Sequence, residues 1–174
     1  MTDEFLTFLK DNGGSFRKAA DDELKKLDKL SEIGLPDSFK KFLSQHVLNN
    51  ELKFEDEYVF YGIDRMYEEN FDYVPGANIY PLGLLTFAST LDGDAICIDI
   101  HDNTYPVRQC SHDLLSDEEE ISYYKKEMIT LNFNYENVIK VSPLLADGGF
   151  DGFVEALKKE EAGTYSVTEI LANL

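Results

Sequence analysis

The stretch LLTFASTLDGDAICIDIHDN, residues 84–103, restricts the fold more than any other part of the chain. Two apolar runs, 84–89 and 95–100, flank Leu91-Asp92-Gly93-Asp94. Asp-Gly is a favoured hairpin turn, because glycine adopts a positive φ at no steric cost and aspartate tolerates the bend. The stretch therefore predicts two antiparallel strands. A third, 107–110, follows the turn at Asp102-Asn103, and 58–63, rich in aromatic and β-branched residues, reads as a further strand. Ile96, Ile98 and Ile100 alternate with Cys97, Asp99 and His101, which predicts one buried and one more polar face.

Helical patterns surround this meander. Phe5, Leu6 and Leu9 share a face. After Asn12-Gly13-Gly14, Ala20, Leu24 and Leu27 recur at helical spacing. Pro36 suits a first helical residue, since it has no amide hydrogen to leave unsatisfied; Asp37 complements the helix dipole, and Phe39, Phe42, Leu43 and Val47 supply one apolar stripe. RMYEENFDYVPGAN, 65–78, reads as a polar, aromatic-studded connection. Ser116 and Glu119 form a capping box, with acids over 117–120 at that helix's start and Lys125 and Lys126 later. Residues 137–141 are expected as a short edge strand. Gly148-Gly149 precedes an amphipathic helix carrying Phe150, Phe153, Val154 and Leu157. Ser166 and Glu169 cap a last helix with Val167, Ile170, Leu171 and Leu174 on one face. Helices around a central antiparallel sheet define an α+β domain. A chain of 174 residues fits one such domain, 1–174.

The chemistry of the hairpin is a separate question. Asp92, Asp94, Asp99, His101 and Cys97 crowd into a dozen residues. Calcium loops alternate oxygen ligands and close with a bidentate Glu, whereas here only Asp92 and Asp94 alternate. Zinc sites want paired Cys or His, and Cys97, Cys110, His46, His101 and His112 form no such pair. Cys97 and His101 lie four residues apart on a strand, about 13 Å, too far for a nucleophile and its base. Cys110 and His112 are nearer, yet no oxyanion element accompanies them. No phosphate-cradling glycine loop or dinucleotide fingerprint is present. The polar residues are read chiefly as the punctuation of a hairpin, with no catalytic, cofactor or metal residue assigned; a small metal-dependent hydrolase using Asp92, Asp94, His101 or His112 is the reading from another class.

Charge points to the partner. The chain has 34 acidic and 16 basic residues, a net charge of −18. Nucleic acid and anionic membrane both require local positive charge, so neither is expected as the main partner; a basic protein partner is compatible with this charge, and so is solubility alone. The acidic amino terminus lacks a signal peptide's basic region and apolar run, no run reaches the roughly 18 apolar residues of a membrane span, and Cys97 and Cys110 read as buried free thiols in a reducing compartment. A cytoplasmic protein is expected.

One ordered set of segments resembles a known superfamily. LPDSFKKFL is followed by an aromatic strand leading to YGIDRMYEEN, then YPLGLLTFASTLDGDAICIDI, PVRQCSHD and the closing FDGFVEALKKE. Over about 20–160 this resembles the SUKH superfamily, which includes bacterial immunity proteins and yeast regulators of cell-wall synthesis. The resemblance implies an α+β domain with helical extensions, without catalytic residues or cofactor. In bacteria such a protein binds and neutralises a toxin domain, often a nuclease or deaminase; the alternative is an adaptor in cell-wall or signalling control. A nuclease cleft is basic, so carboxylates presented to it gain on-rate, and close interfacial charge pairs couple by roughly 1.5–7 kcal/mol. The densest acidic segment is interleaved with rings that interface hot spots favour. Asp64, Tyr67, Glu68, Glu69 and Asp72, taken to lie in a connection, are the expected partner-binding residues. The chain's oligomeric state stays open.

Overall fold

The computed structural model describes residues 3–116 and 133–172. Within them the chain folds as α1 (Asp3–Asp11), β1 (Phe16–Arg17), α2 (Asp21–Glu32), α3 (Asp37–Gln45), β2 (Val47–Leu48), β3 (Leu52–Phe54), β4 (Tyr58–Phe60), α4 (Ile63–Phe71), α5 (Gly76–Ile79), β5 (Leu84–Thr90), β6 (Ala95–Asp99), β7 (Val107–Cys110), α6 (His112–Leu115), α7 (Tyr135–Lys140), β8 (Leu144–Ala146), α8 (Gly149–Lys158) and α9 (Val167–Ala172). Strands β3 to β8 form one antiparallel sheet in sequence order, and β1 pairs with β2 apart from it. The class is α+β, as the meander and its flanking helices require.

The hairpin closes as its residues dictate. The Gly93 amide donates to the Thr90 carbonyl at 3.2 Å, and Gly93 takes φ +98°. Beyond the turn the register slips between Thr86 and Ala88, a β-bulge at Phe87. An extra residue resets the two-residue alternation, so Phe87 and Ala88 both join one core while Thr86 and Ser89 are left to the other face. Phe87 thereby reaches the ring of Phe150 at 4.7 Å, and Phe150 stacks on Phe5 at 4.8 Å. That aromatic core joins α1, α3 and α8 to one side of the sheet.

The alternation expected of β6 is half right. Ile96 and Ile98 enter the aromatic core, but Cys97 and Asp99 are as buried as the isoleucines. The opposite face is covered too: Ala95, Cys97 and Cys110 pack against Ile79, Leu114, Val138 and Ile170 from α5, α6, α7 and α9. His101 alone is exposed, because it lies past the strand's end. Both thiols are free and buried, and burial pushes the Cys97 thiol well up.

Other elements correct the expectations. Ile63 starts α4 rather than ending a strand, and 65–71 is helix rather than connection. Its buried face is Ile63, Met66, Glu69 and Asn70, two polar residues in four, which disguises the helical period. Residues 137–141 are helix and the helix's end, not strand; Asn134 caps α7 by accepting the Asn137 amide at 3.0 Å, and the edge strand is β8. In α2 the inward residues are Leu27 and Leu30, with Leu24 outside, because Glu23 turns in to meet Arg17. Gly148, Phe150, Phe153 and Leu157 behave as read, and so does the closing capping box, in which the Ser166 amide donates to Glu169 at 2.8 Å. The capping partner Glu119, the 117–120 acids, Lys125, Lys126 and Leu174 lie outside the described residues.

Candidate partner-binding surface

Helix α4 positions every residue expected at the interface. Asn70, buried, ties it to the sheet: its Nδ2 donates to the carbonyls of Met66 (2.7 Å) and Thr86 (2.8 Å), and its Oδ1 accepts the Thr86 amide (2.9 Å). Strand β4 reaches only as far as Ala88, so Asn70 takes the place of the missing neighbour for Thr86.

The five residues do not share one environment. Asp64 is exposed and pairs with Lys26 Nζ at 2.7 Å. The same ammonium lies 5.7 Å from the centroid of the Tyr67 ring, which packs on Phe71 at 4.6 Å. Glu68 is partly exposed beside Arg65, and Asp72, past the helix end, is exposed. Glu69 is turned inward. It receives Arg65 Nη2 at 2.6 Å, and desolvation raises its carboxyl above the ordinary range against the pull of that guanidinium. Asp64, Glu68 and Asp72 thus form an outer acidic row, and Glu69 belongs to a wall behind it.

That wall borders a cleft of about 440 Å³ on the uncovered part of the sheet. Val59 and Ser89 form its floor, Arg65, Tyr73 and Val74 one side, and Leu91 and His112 the other. Arg65 is held between two rings, with its guanidinium carbon 4.9 Å from the Tyr73 centroid and 5.7 Å from that of Tyr61. Burial pushes the Tyr61 hydroxyl up to about 12, so it stays a neutral donor. Tyr73, Val74 and Leu91 are each close to half exposed (47%, 49% and 47%), and all three line this one cleft.

A second cleft of about 430 Å³ lies across the turn and shares Thr90 and Leu91 with the first. Asp56, Glu57, Asp92, Asp94 and Glu169 line it, and no Lys or Arg does among the described residues. Asp94 is structural: it accepts the His112 amide (2.9 Å), His112 Nδ1 (3.0 Å) and Gln109 Nε2 (2.6 Å). His112 Nε2 meets Asp113 at 3.1 Å.

The residues of the hydrolase reading are separated. Asp94 and His112 meet, whereas His101 sits beyond the other end of β6, its ring against Tyr135 at 4.7 Å and its Nε2 3.1 Å from the Leu82 carbonyl. Cys110 is buried at Ser142 while His112 turns toward Asp94. What this surface does offer is charge and apolar contact. Arg65, Val74 and Leu91 were not singled out from sequence; Leu91 was the legible signal, being a large apolar residue in a turn whose geometry does not need one.

Among the described residues no helix is long and apolar enough to cross a membrane. The model of the SMI1 / KNR4 family (SUKH-1) matches residues 18–133, about two thirds of the chain and all of it from α2 through β7. The family includes toxin-immunity proteins and relatives of SMI1 and KNR4, generally without catalytic activity. No curated protein and no solved structure gives a significant match. The chain belongs to the SMI1 / KNR4 (SUKH-1) family.

Proposed function

We propose that this protein is an immunity protein, which binds a cationic bacterial toxin domain of nuclease or deaminase type and neutralises it without chemistry of its own. The observation that carries this reading is the acidic surface on either side of the open cleft. The outer row, Asp64, Glu68 and Asp72, lies along and just past the helix whose Arg65 and Glu69 line that cleft, and the carboxylates of the second cleft gather across the turn. A nuclease or nucleotide-binding cleft concentrates positive charge to attract phosphate, and this surface presents the sign that fits it. Tyr67 and Tyr73 add rings of the type that dominate interface energetics. The cytoplasm, where a toxin domain would have to be met, is the expected compartment.

Co-expression tests the reading. Cells producing the toxin domain encoded beside this chain's gene should survive when the chain is present, and the two purified proteins should form a salt-sensitive complex. Replacing Asp64, Glu68 and Asp72 with Lys should slow association most at low ionic strength. Absence of both rescue and binding rejects the immunity role and leaves the regulatory branch of the family.

A further inference from the structure

We propose that the open sheet face between α4 and the β5–β6 turn receives an apolar side chain of a cationic polypeptide segment, whose adjacent Lys or Arg enters the acidic cleft across Leu91. This rests on the immunity reading and specifies where, and by what chemistry, the partner is held.

The face is a stretch of sheet that the described helices leave open. Helices α5, α6, α7 and α9 cover the second face over β6 and β7, whereas over β4 and β5 Val59 and Ser89 floor a cleft. Tyr73, Val74 and Leu91 converge on it from α4's end and from the turn, although 17 residues separate Val74 from Leu91. Scattered exposed apolar residues are ordinary, but three around one concavity form a site where a partner's apolar group loses its water. The walls are already ordered. Arg65 is clamped by two rings and Glu69, so little conformational freedom remains to be lost on binding.

Charge selects the occupant. The adjoining cleft holds Asp56, Glu57 and Asp92 at its exposed rim, with no Lys or Arg among its described lining residues. A segment lying across Leu91 therefore meets Tyr73 and Val74 on one side, where Lys53 and Arg65 stand with Glu51 and Glu69, and on the other side carboxylates with no cation among the described lining residues. A second copy of this chain is a poor fit, since both copies carry a net −18. Nucleic acid is repelled for the same reason.

The peptide acetyl-RKFRK-amide is the probe, titrated into the isotope-labelled full chain and followed by amide chemical shifts. Shifts should cluster at Tyr73, Val74, Leu91 and Asp92. Replacing the peptide's Phe by Gly should weaken binding about tenfold, the equivalent of losing one partly buried aromatic side chain. The doubly substituted Leu91→Ser, Val74→Ser protein should lose a similar factor. Glu57→Lys with Asp92→Lys should abolish binding, while Glu155→Lys on α8, exposed and outside both clefts, should leave it within twofold. No shift, shifts confined to Asp64, Glu68 and Asp72, or equal affinity for the Phe and Gly peptides would each overturn the proposal. The co-expression assay separates the two readings. Protection without peptide binding at the cleft refutes the docking mode alone, and cleft binding without protection refutes the immunity role alone.

Discussion

Asn70 is the residue on which the candidate surface hangs, and removing its amide measures how firmly. In Asn70→Ala, the Thr86 amide and carbonyl lose the side chain that satisfies them, at a position that β4 does not reach. Both groups are buried with Thr86, which is fully inaccessible. Each orphaned buried polar group costs about 1–3 kcal/mol, so the pair should cost about 4 kcal/mol, against the roughly 5–15 kcal/mol that holds a typical domain together. At about 2–4 °C per kcal/mol for a chain of this size, the melting temperature should fall by about 8–16 °C. Asn70→Asp sharpens the test. It keeps the acceptor for the Thr86 amide but sets a carboxylate oxygen against the carbonyls of Met66 and Thr86. Its folded-state pKa should rise, so the variant should regain stability as pH falls through that value toward about 3.9, the unfolded aspartate's. Urea denaturation at pH 7 and pH 4 reads the stability, and hydrogen exchange at the Thr86 amide reads the local opening. A loss below about 1 kcal/mol in Asn70→Ala, with Thr86 exchange unchanged, would refute the view that this side chain stands in for a strand.

Three further outcomes follow from the packing. Glu23 is buried, and its carboxyl is held below the ordinary range first by the Arg17 hydrogen bond and also by the Ala20 amide. A depressed folded pKa contributes stability that is present above the unfolded value of about 4.3 and lost as pH falls through the folded one. Glu23→Gln should therefore cost about 1–2 kcal/mol in urea at pH 7, a gap that closes toward pH 2. Gly152→Ala sets helix propensity against sterics: alanine is worth about 1 kcal/mol in a helix, but a Cβ here would overlap the Asp147 carbonyl oxygen. A net loss of about 2 kcal/mol or more is expected by thermal melting, and a gain would show that the loop before α8 yields freely. Tyr135→Phe removes the hydroxyl that donates to buried Asp99 at 2.6 Å and should cost about 1–2 kcal/mol, with exchange accelerating first in α7.

The residues that sequence reading placed correctly are those whose conformation is decided within a few neighbours. Asp92-Gly93 makes its turn through glycine's own backbone freedom, Ser166 and Glu169 cap each other over one helical turn, and Phe150, Phe153 and Leu157 share a stripe by helical period alone. The pairing of β5, β6 and β7 followed too, because short turns force those neighbouring strands to pair, whereas β4 and β8 join the sheet across long connections. Helix α4 was not legible, and the reason is physical: half of its buried face is polar. Glu69 and Asn70 are admitted there only because Arg65 and Thr86, the latter 16 residues away, satisfy them. The burial of Asp99 likewise depends on Tyr135, 36 residues along, and the bulge at Phe87 on what the aromatic core accepts. The acidity of the chain and its α+β class were therefore determined by the sequence itself. Which carboxylates face outward, which are spent on internal partners, and where Tyr73, Val74 and Leu91 come together was decided only by the tertiary structure, because burial and pairing between distant segments have no local signature.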